Sequence, residues 1–341
     1  MYKLELVSTP PSSRFIWIEY LRALAVLSVL LFHLELFEFG YLGVELFFIV
    51  SGYLILPRLL QISENSKVVA YWIKRTLRLG LPQIGCFAFV VILVAFLPGE
   101  IQRDFGQSLF ATLFRAANVK FWLETDYWAP SSSYKPLLHF WSLALEEQFY
   151  AITFIVLLVL NRLNANYLFP VILMSLAIAG GLIAVFLDDT ANFYLIFSRF
   201  YLFVLGFCIA TGRLQLGLIT GIICIVCFSL KGLGNTKILE IIPISIFFAG
   251  YIIHKSSFKQ YRHSIISSVV GYIGSRSFCI YLVHWPVIVV WRVFFGYIQS
   301  YELIIAAFVM ATAEILYQLF DKHHEKLALL FHNSSSNVQF K

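Results

Sequence analysis

The sequence predicts an all-α fold: a polytopic transmembrane helix bundle of about ten spans, with both termini cytoplasmic. Three observations carry that expectation. Of 341 residues, 60% are hydrophobic and only 13% charged, whereas a soluble domain is typically about 45–50% apolar and about 25% charged. The apolar residues fall into runs of about 20, the length that crosses hydrocarbon. Lys and Arg concentrate in alternate loops, as orientation in a membrane requires.

Taken in order, spans are predicted at 15–34, 41–60, 79–97, 141–160, 167–187, 193–212, 214–230, 238–253, 276–295 and 301–320. The first run, from Phe15, lacks a small-residue cleavage site and continues into further runs, so it reads as a span rather than a signal peptide. The stretch 105–117, FGQSLFATLFRAA, is short and amphipathic and is placed on the outer surface. With the N-terminus inside, the inner segments 1–14, 58–78, 161–166, 211–213, 254–268 and 321–341 each hold a cation. The outer loops hold only Arg103, Arg115, Lys120, Lys135, Lys231 and Lys237. The expected organisation is a cytoplasmic segment 1–14, a membrane domain 15–320 and a cytoplasmic tail 321–341.

The net charge of +6 does not point to nucleic acid, because the cations flank apolar runs. All five cysteines lie in apolar runs. Cys224 and Cys227 have CxxC spacing but no second ligand pair or nearby His. They read as small buried hydrophobes, and no metal site is expected.

Ionisable residues inside spans are costly and mark functional pathways. Here they are Arg22, His33, Glu45, Glu146, Glu147, Arg199, Arg276, His284, Arg292 and Glu314. Eleven helical steps of about 100° bring His33 about 20° past three full turns from Arg22, so the two share a face, about 16 Å apart along the axis. The pair puts a fixed cation toward the cytosol and an imidazole toward the outer leaflet; the plainer alternative is a snorkelling Arg22 and a His33 bonded to a carbonyl. Glu146 and Glu147 diverge by about 100° on the fourth span, so at least one faces the bundle interior. Trp141 and Tyr150 on that span fit an interfacial belt. Arg75 and Arg78, i and i+3, sit beside Lys74 and suit either phosphate binding or anchoring at the inner surface. His284 precedes Trp285 and Pro286. Proline frees a carbonyl there, so His284 has either a structural bond to such a carbonyl or an acceptor or catalytic contact. Ser51-Gly52 suits close helix packing or a kink.

Five segments, in order, resemble the acyltransferase-3 family of membrane acyltransferases, which includes O-antigen and exopolysaccharide O-acetylases. They are Arg22 with His33, GYLGVELFFIVSGY from Gly40 with Glu45 as its acidic member, Arg75 with Arg78, WSLALEEQFY from Trp141 with Glu146 at the acidic position, and YLVHWP from Tyr281. The resemblance runs from about Trp17 to about Leu319. One departure is Leu202, three residues after Arg199, where the family often has Glu. The extra soluble esterase-like domain that some members carry is not expected here.

The resemblance implies an acyl-coenzyme A donor on the inner side, acetyl-coenzyme A by default with succinyl the main rival. It also implies a carbohydrate or lipid-linked glycan acceptor on the outer side of a bacterial inner membrane. Acyl-coenzyme A is then a co-substrate, and no permanently bound cofactor is expected. Arg22, Arg75 and Arg78 are expected to hold the donor's phosphates. His33 is the expected general base, since an imidazole titrates near working pH, and Glu146 is expected to orient it as a carboxylate does in a triad. Glu45, Glu147, His284 and Arg199 are expected at acceptor or structural positions. No Ser or Cys sits in a nucleophile motif, which favours direct transfer over an acyl-enzyme. The competing functions are a transporter or flippase of a lipid-linked sugar, for which internal repeats are missing, and a membrane scaffold, which would not need Arg22 and His33 on one face.

Overall fold

The computed structural model describes residues 11–60, 65–124, 127, 130–230, 239, 241–256, 265–296 and 298–322. The predicted terminal segments lie largely outside them. Among the described residues there is no strand. The helices are α1 Pro11–His33, α2 Leu42–Leu60, α3 Asn65–Val94, α4 Gly99–Leu113, α5 Ala117–Glu124, α6 Phe140–Arg162, α7 Phe169–Ala184 and α8 Asp189–Tyr194. They continue with α9 Phe200–Ala210, α10 Leu214–Leu230, α11 Ile241–Ser256, α12 Ile265–Phe295 and α13 Glu302–Leu316. The last runs into a π-turn, Tyr317–Asp321.

Against the expected ten spans, seven segments among the described residues are long and apolar enough to cross a membrane: Ile16–His33, Glu38–Leu60, Tyr71–Val94, Phe140–Arg162, Asn166–Ala184, Ser267–Phe295 and Glu302–Asp321. The remaining predicted spans correspond to the shorter apolar segments Ile196–Ala210, Leu214–Cys227 and Ile241–Ile252. The predicted span 193–212 is broken because α8 ends at Tyr194 and the chain turns before α9. The break leaves carbonyls without helical partners, and side chains take them up. Arg199 Nη1 donates to the carbonyls of Asn192, at 2.7 Å, and of Phe193; the Ser198 hydroxyl also donates to Asn192. The surface stretch predicted at 105–117 is mostly helix α4, which begins earlier, at Gly99. α3 starts well before its apolar stretch, so Lys74, Arg75 and Arg78 ride on a helix rather than a loop.

α1, α2 and α12 form the centre of the bundle, with α1 packed along both of the others. The α7, α9 and α10 group packs on the far side of α2, while α3 and α13 pack on α12. The α2–α9 contact is backbone to backbone. A Cβ on Gly52 would lie 2.0 Å from the Phe203 carbonyl oxygen, and one on Gly206 would lie 2.1 Å from that of Ile49. Small residues that let helices touch are the usual device where lipid gives no hydrophobic drive to association.

Gly52→Ala and Gly206→Ala should each push α2 and α9 apart, costing about 1–3 kcal/mol or more, as overpacking does. Gly80→Ala, where nothing lies within 4 Å, should leave stability unchanged. Thermal unfolding in detergent followed by size-exclusion fluorescence reads all three; equal midpoints would rule out the close contact.

Candidate functional site

Two cavities lie at different depths along α1. The first, about 410 Å³, is lined by Arg22, Arg58, Lys74, Arg75 and Arg78 with Ser51, Ser142, Glu146, Tyr281 and Asp321. The second, about 440 Å³, is lined by His33, Glu35, Glu38, Tyr127, Ser132, Ser133, Trp285 and Arg292. Since about 16 Å separates Arg22 from His33 along the axis, the cationic cavity lies toward the N-terminal end of α1 and the His33 cavity toward its C-terminal end.

In the cationic cavity one carboxylate fixes the guanidinium. Glu146 Oε1 accepts from Arg75 Nη2 at 3.2 Å, from the Ser51 hydroxyl at 2.8 Å and from the Tyr150 hydroxyl at 2.5 Å. Arg75 also lies over the Tyr150 ring, 3.9 Å from its centroid. Glu146 and Tyr150, four residues apart in WSLALEEQFY, therefore form a cradle for Arg75. Arg22, Arg75 and Arg78 come together here, as the sequence reading placed them. Glu146 and His33 do not: they line different cavities, so the expected carboxylate–imidazole pair is not formed. The geometric reason is that the Glu146 carboxylate projects toward Ser51 of α2 and Arg75 of α3, with Tyr150 of its own helix as a third donor. Glu147 lines neither cavity and lies under the charges of Arg115 and Arg75.

At the other end, His33 is the last residue of α1. The helix closes with Leu36 N–H donating to Leu31 and Glu35 N–H to Phe32, the paired bonds of a Schellman ending. Glu35 takes the left-handed position, φ 63°, where glycine is usual. Its carboxylate accepts from Arg292 Nη2 at 3.1 Å and from the Gln299 amide. The His33 ring sits 4.4 Å from the Trp285 ring and 5.3 Å from that of His284, centroid to centroid. Tyr127, half-buried on the wall, has its hydroxyl pushed up in pKa by desolvation, so it stays neutral.

Between the cavities stands a polar septum. Pro286 has no N–H to give the Leu282 carbonyl four residues earlier. That oxygen instead accepts from His139 Nε2 at 3.0 Å and from Cys86 Sγ at 3.2 Å. His284 does not bond this freed carbonyl; its Nδ1 lies 2.6 Å from the Tyr281 carbonyl. The Tyr281 hydroxyl is 2.5 Å from that of Ser142 and donates to the His139 carbonyl. Trp285 Nε1 donates to the Lys135 carbonyl at 2.8 Å, pinning the loop before α6 to α12. Burial and the neighbouring His284 hold His139 well below the ordinary histidine range, so it is neutral.

Sequence reasoning missed His139, Tyr281, Ser142, Glu35 and Tyr127. Three of these had a signal: His139 stands two residues before WSLALEEQFY, and Tyr281 and Ser142 lie inside motifs already singled out. Other expectations change too. Trp141 and Tyr150 are 4% and 0% exposed, so they are core residues and not an interfacial belt. Arg199 pairs with Glu45 at 3.1 Å, both side chains 5% exposed, which answers the carboxylate missing at Leu202. Arg276 pairs with Glu314 at 2.9 Å, and Arg292 pairs with Glu35. Glu45, then, holds a broken helix together rather than touching either cavity.

A model of the acyltransferase-3 family, described as an acyltransferase domain, matches residues 15–316. The chain is similar to the peptidoglycan O-acetyltransferase OatA of Listeria monocytogenes, 31% identical over 316 residues, covering 80% of this chain and 49% of that one. It is 25% identical over 336 residues to the O-acetyltransferase OatA of Staphylococcus aureus, 88% and 55% of the two chains. A putative O-acetyltransferase of Staphylococcus aureus is 26% identical over 302 residues, 79% and 50%. The chain thus spans about half the length of the curated relatives it matches. No solved structure matches.

Glu45→Gln should strand the buried Arg199 charge and cost about 3–5 kcal/mol, while Arg199→Met, which also bares the Asn192 and Phe193 carbonyls, should cost at least as much, and the two together less than the sum. A double-mutant cycle on thermal stability in detergent checks it; additive losses would mean the pair is not coupled.

Proposed function

The chain belongs to the acyltransferase-3 family, and from that premise we propose that it is an integral membrane O-acyltransferase. It moves an acyl group, acetyl first among the choices, from acyl-coenzyme A to a hydroxyl of a cell-envelope carbohydrate. The observation that carries this reading is the pair of cavities: one cationic, the other holding a histidine and lined by aromatic and hydroxyl side chains, at opposite ends of α1. Lys and Arg cluster at the end that bears the cationic cavity, which orients that end to the cytosol. A donor rich in phosphate is cytosolic, and an envelope glycan is not, so the two cavities match the two substrates. The relatives' names supply the acceptor to try first, a peptidoglycan glycan strand. A bacterial inner membrane is the setting this implies.

In this reading Arg75 and Arg78, with Arg22 and Lys74, hold the donor's phosphates. Glu146 and Tyr150 keep the Arg75 fork aimed, since a guanidinium binds phosphate best in a fixed plane. The pantetheine arm lies along Ser51, Phe47 and Val44 toward Ser142 and Tyr281, all on the wall of the same cavity. His33 takes the proton of the acceptor hydroxyl as its oxygen attacks the acyl carbon. Trp285 and Tyr127 offer flat faces for a sugar ring, and the Arg292–Glu35 pair offers fixed charge for its hydroxyls.

Full-length protein reconstituted in vesicles, with acetyl-coenzyme A and soluble peptidoglycan glycan strands on opposite sides, tests the reading. His33→Ala should lower kcat by about 10²–10⁴-fold with the donor KM unchanged. Arg75→Ala or Arg78→Ala should raise the donor KM about tenfold, the loss of about 1.4 kcal/mol of binding. Passage of glycan without donor turnover would replace the enzyme with a transporter.

A further inference from the structure

Three imidazoles lie together at the acceptor cavity. His33 lines it; its ring is 5.3 Å from that of His284, which is 5.5 Å from that of His139, centroid to centroid. They come from three separate elements: the end of α1, the proline-bent part of α12 and the turn before α6. His284 is 1% exposed and His139 is 4%. A carbonyl can only accept a hydrogen bond, so the contact of His284 Nδ1 with the Tyr281 carbonyl puts the ring proton on Nδ1. By the same argument His139 carries its proton on Nε2, facing the Leu282 carbonyl. The lone-pair nitrogens are then His284 Nε2 and His139 Nδ1, and both are buried without a hydrogen-bond partner. Leaving a buried acceptor unsatisfied costs stability. Two such nitrogens on neighbouring rings, one of them beside the catalytic histidine, are what a group that must receive a proton requires.

Resting on the acyl-transfer reading, we infer that His284 is a second proton carrier of the reaction, taking on its Nε2 the proton that His33 removes from the acceptor hydroxyl. The transfer itself demands such a path. The acceptor oxygen forms its bond to the acyl carbon, and the carbon–sulfur bond breaks with its electron pair going to sulfur. The hydroxyl proton must finish on that sulfur, giving the free thiol. The acyl carbon meets the acceptor oxygen at the septum; its sulfur then leaves on the donor side while the proton sits on the acceptor side, so the proton has to cross the septum. The Tyr281–Ser142 hydroxyl pair borders the donor cavity and protonates the thiolate. The histidines hold the acceptor's proton until that pair is restored. The groups facing His284 are His33 from α1, His139 from the turn before α6 and Tyr281 on its own helix. Arg292, above Trp285, is the nearest fixed cation to His33, with Glu35 as its partner.

His284→Asn separates carrier from scaffold. The Asn amide can keep the bond to the Tyr281 carbonyl but has no titratable lone pair. In the full-length enzyme, with acetyl-coenzyme A and soluble peptidoglycan glycan strands, kcat should fall at least about tenfold while both KM values hold, and the pH–rate profile should lose one ionisation. His139→Gln keeps the Nε2-type bond to Leu282 and serves as the matched second variant. An arm independent of turnover uses ¹⁵N-histidine NMR: His33 and His284 should titrate as two coupled steps in the parent, and His33 in a single step in His284→Asn. Identical His33 titration in the parent and the variant overturns the inference. A parent protein with coupled titration but no acyl transfer would instead refute the functional reading and leave the shared proton standing.

Discussion

A carbonyl robbed of its helical partner cannot be left bare inside hydrocarbon, where no water will take its place. Much of this molecule follows from that constraint. Pro286 strips the Leu282 carbonyl, and His139 and Cys86 cover it. The turn between α8 and α9 strips Asn192 and Phe193, and Arg199 covers them. Arg199 in turn needs a counter-charge, which Glu45 supplies from α2. Each break in regular structure thus draws in a side chain from a distant part of the sequence, and those side chains lock α2, α6, α9 and α12 into one arrangement.

The same accounting explains why the charges sort into two chambers. Glu146 spends its oxygen on Ser51, Arg75 and Tyr150, which leaves it no reach toward His33. The acidic partner of the histidine chamber is Glu35, held in a left-handed conformation at the end of α1 and tied to Arg292. A septum of histidines and hydroxyls lies between, bridging regions whose polarity is otherwise unrelated.

How much of this was legible in the sequence depends on whether local pattern or tertiary pairing decides the matter. The long spans were legible, because twenty apolar residues leave few alternatives. The shared face of Arg22 and His33 was legible because helical geometry fixes it. The gathering of Arg22, Arg75 and Arg78 in one cavity followed the motifs. The break after Tyr194 was hidden, since the run from Phe193 to Ala210 is apolar but for Ser198 and Arg199. The Glu146–His33 pairing was misjudged because it came from the resemblance and the analogy with a triad, while helix rotation turns the carboxylate toward Ser51 and Arg75. His139 escaped notice because it lies one residue before the first turn of α6, where it reads as a helix boundary. Ion-pair partners were the least legible of all: Glu45 and Arg199 are separated by 154 positions.

The short helices α10 and α11 have a consequence for the surroundings of the protein. At 17 and 16 residues they extend about 24–26 Å, while a bilayer interior is about 30 Å thick. Both turn bulky side chains outward, among them Ile219, Ile222 and Val226 on α10 and Ile241, Ile242 and Ile252 on α11. Lipid beside an apolar stretch of that length thins, or the flanking side chains snorkel to reach the interface. A thin membrane, rich in short or unsaturated tails, would match the described length of these helices at the least elastic cost.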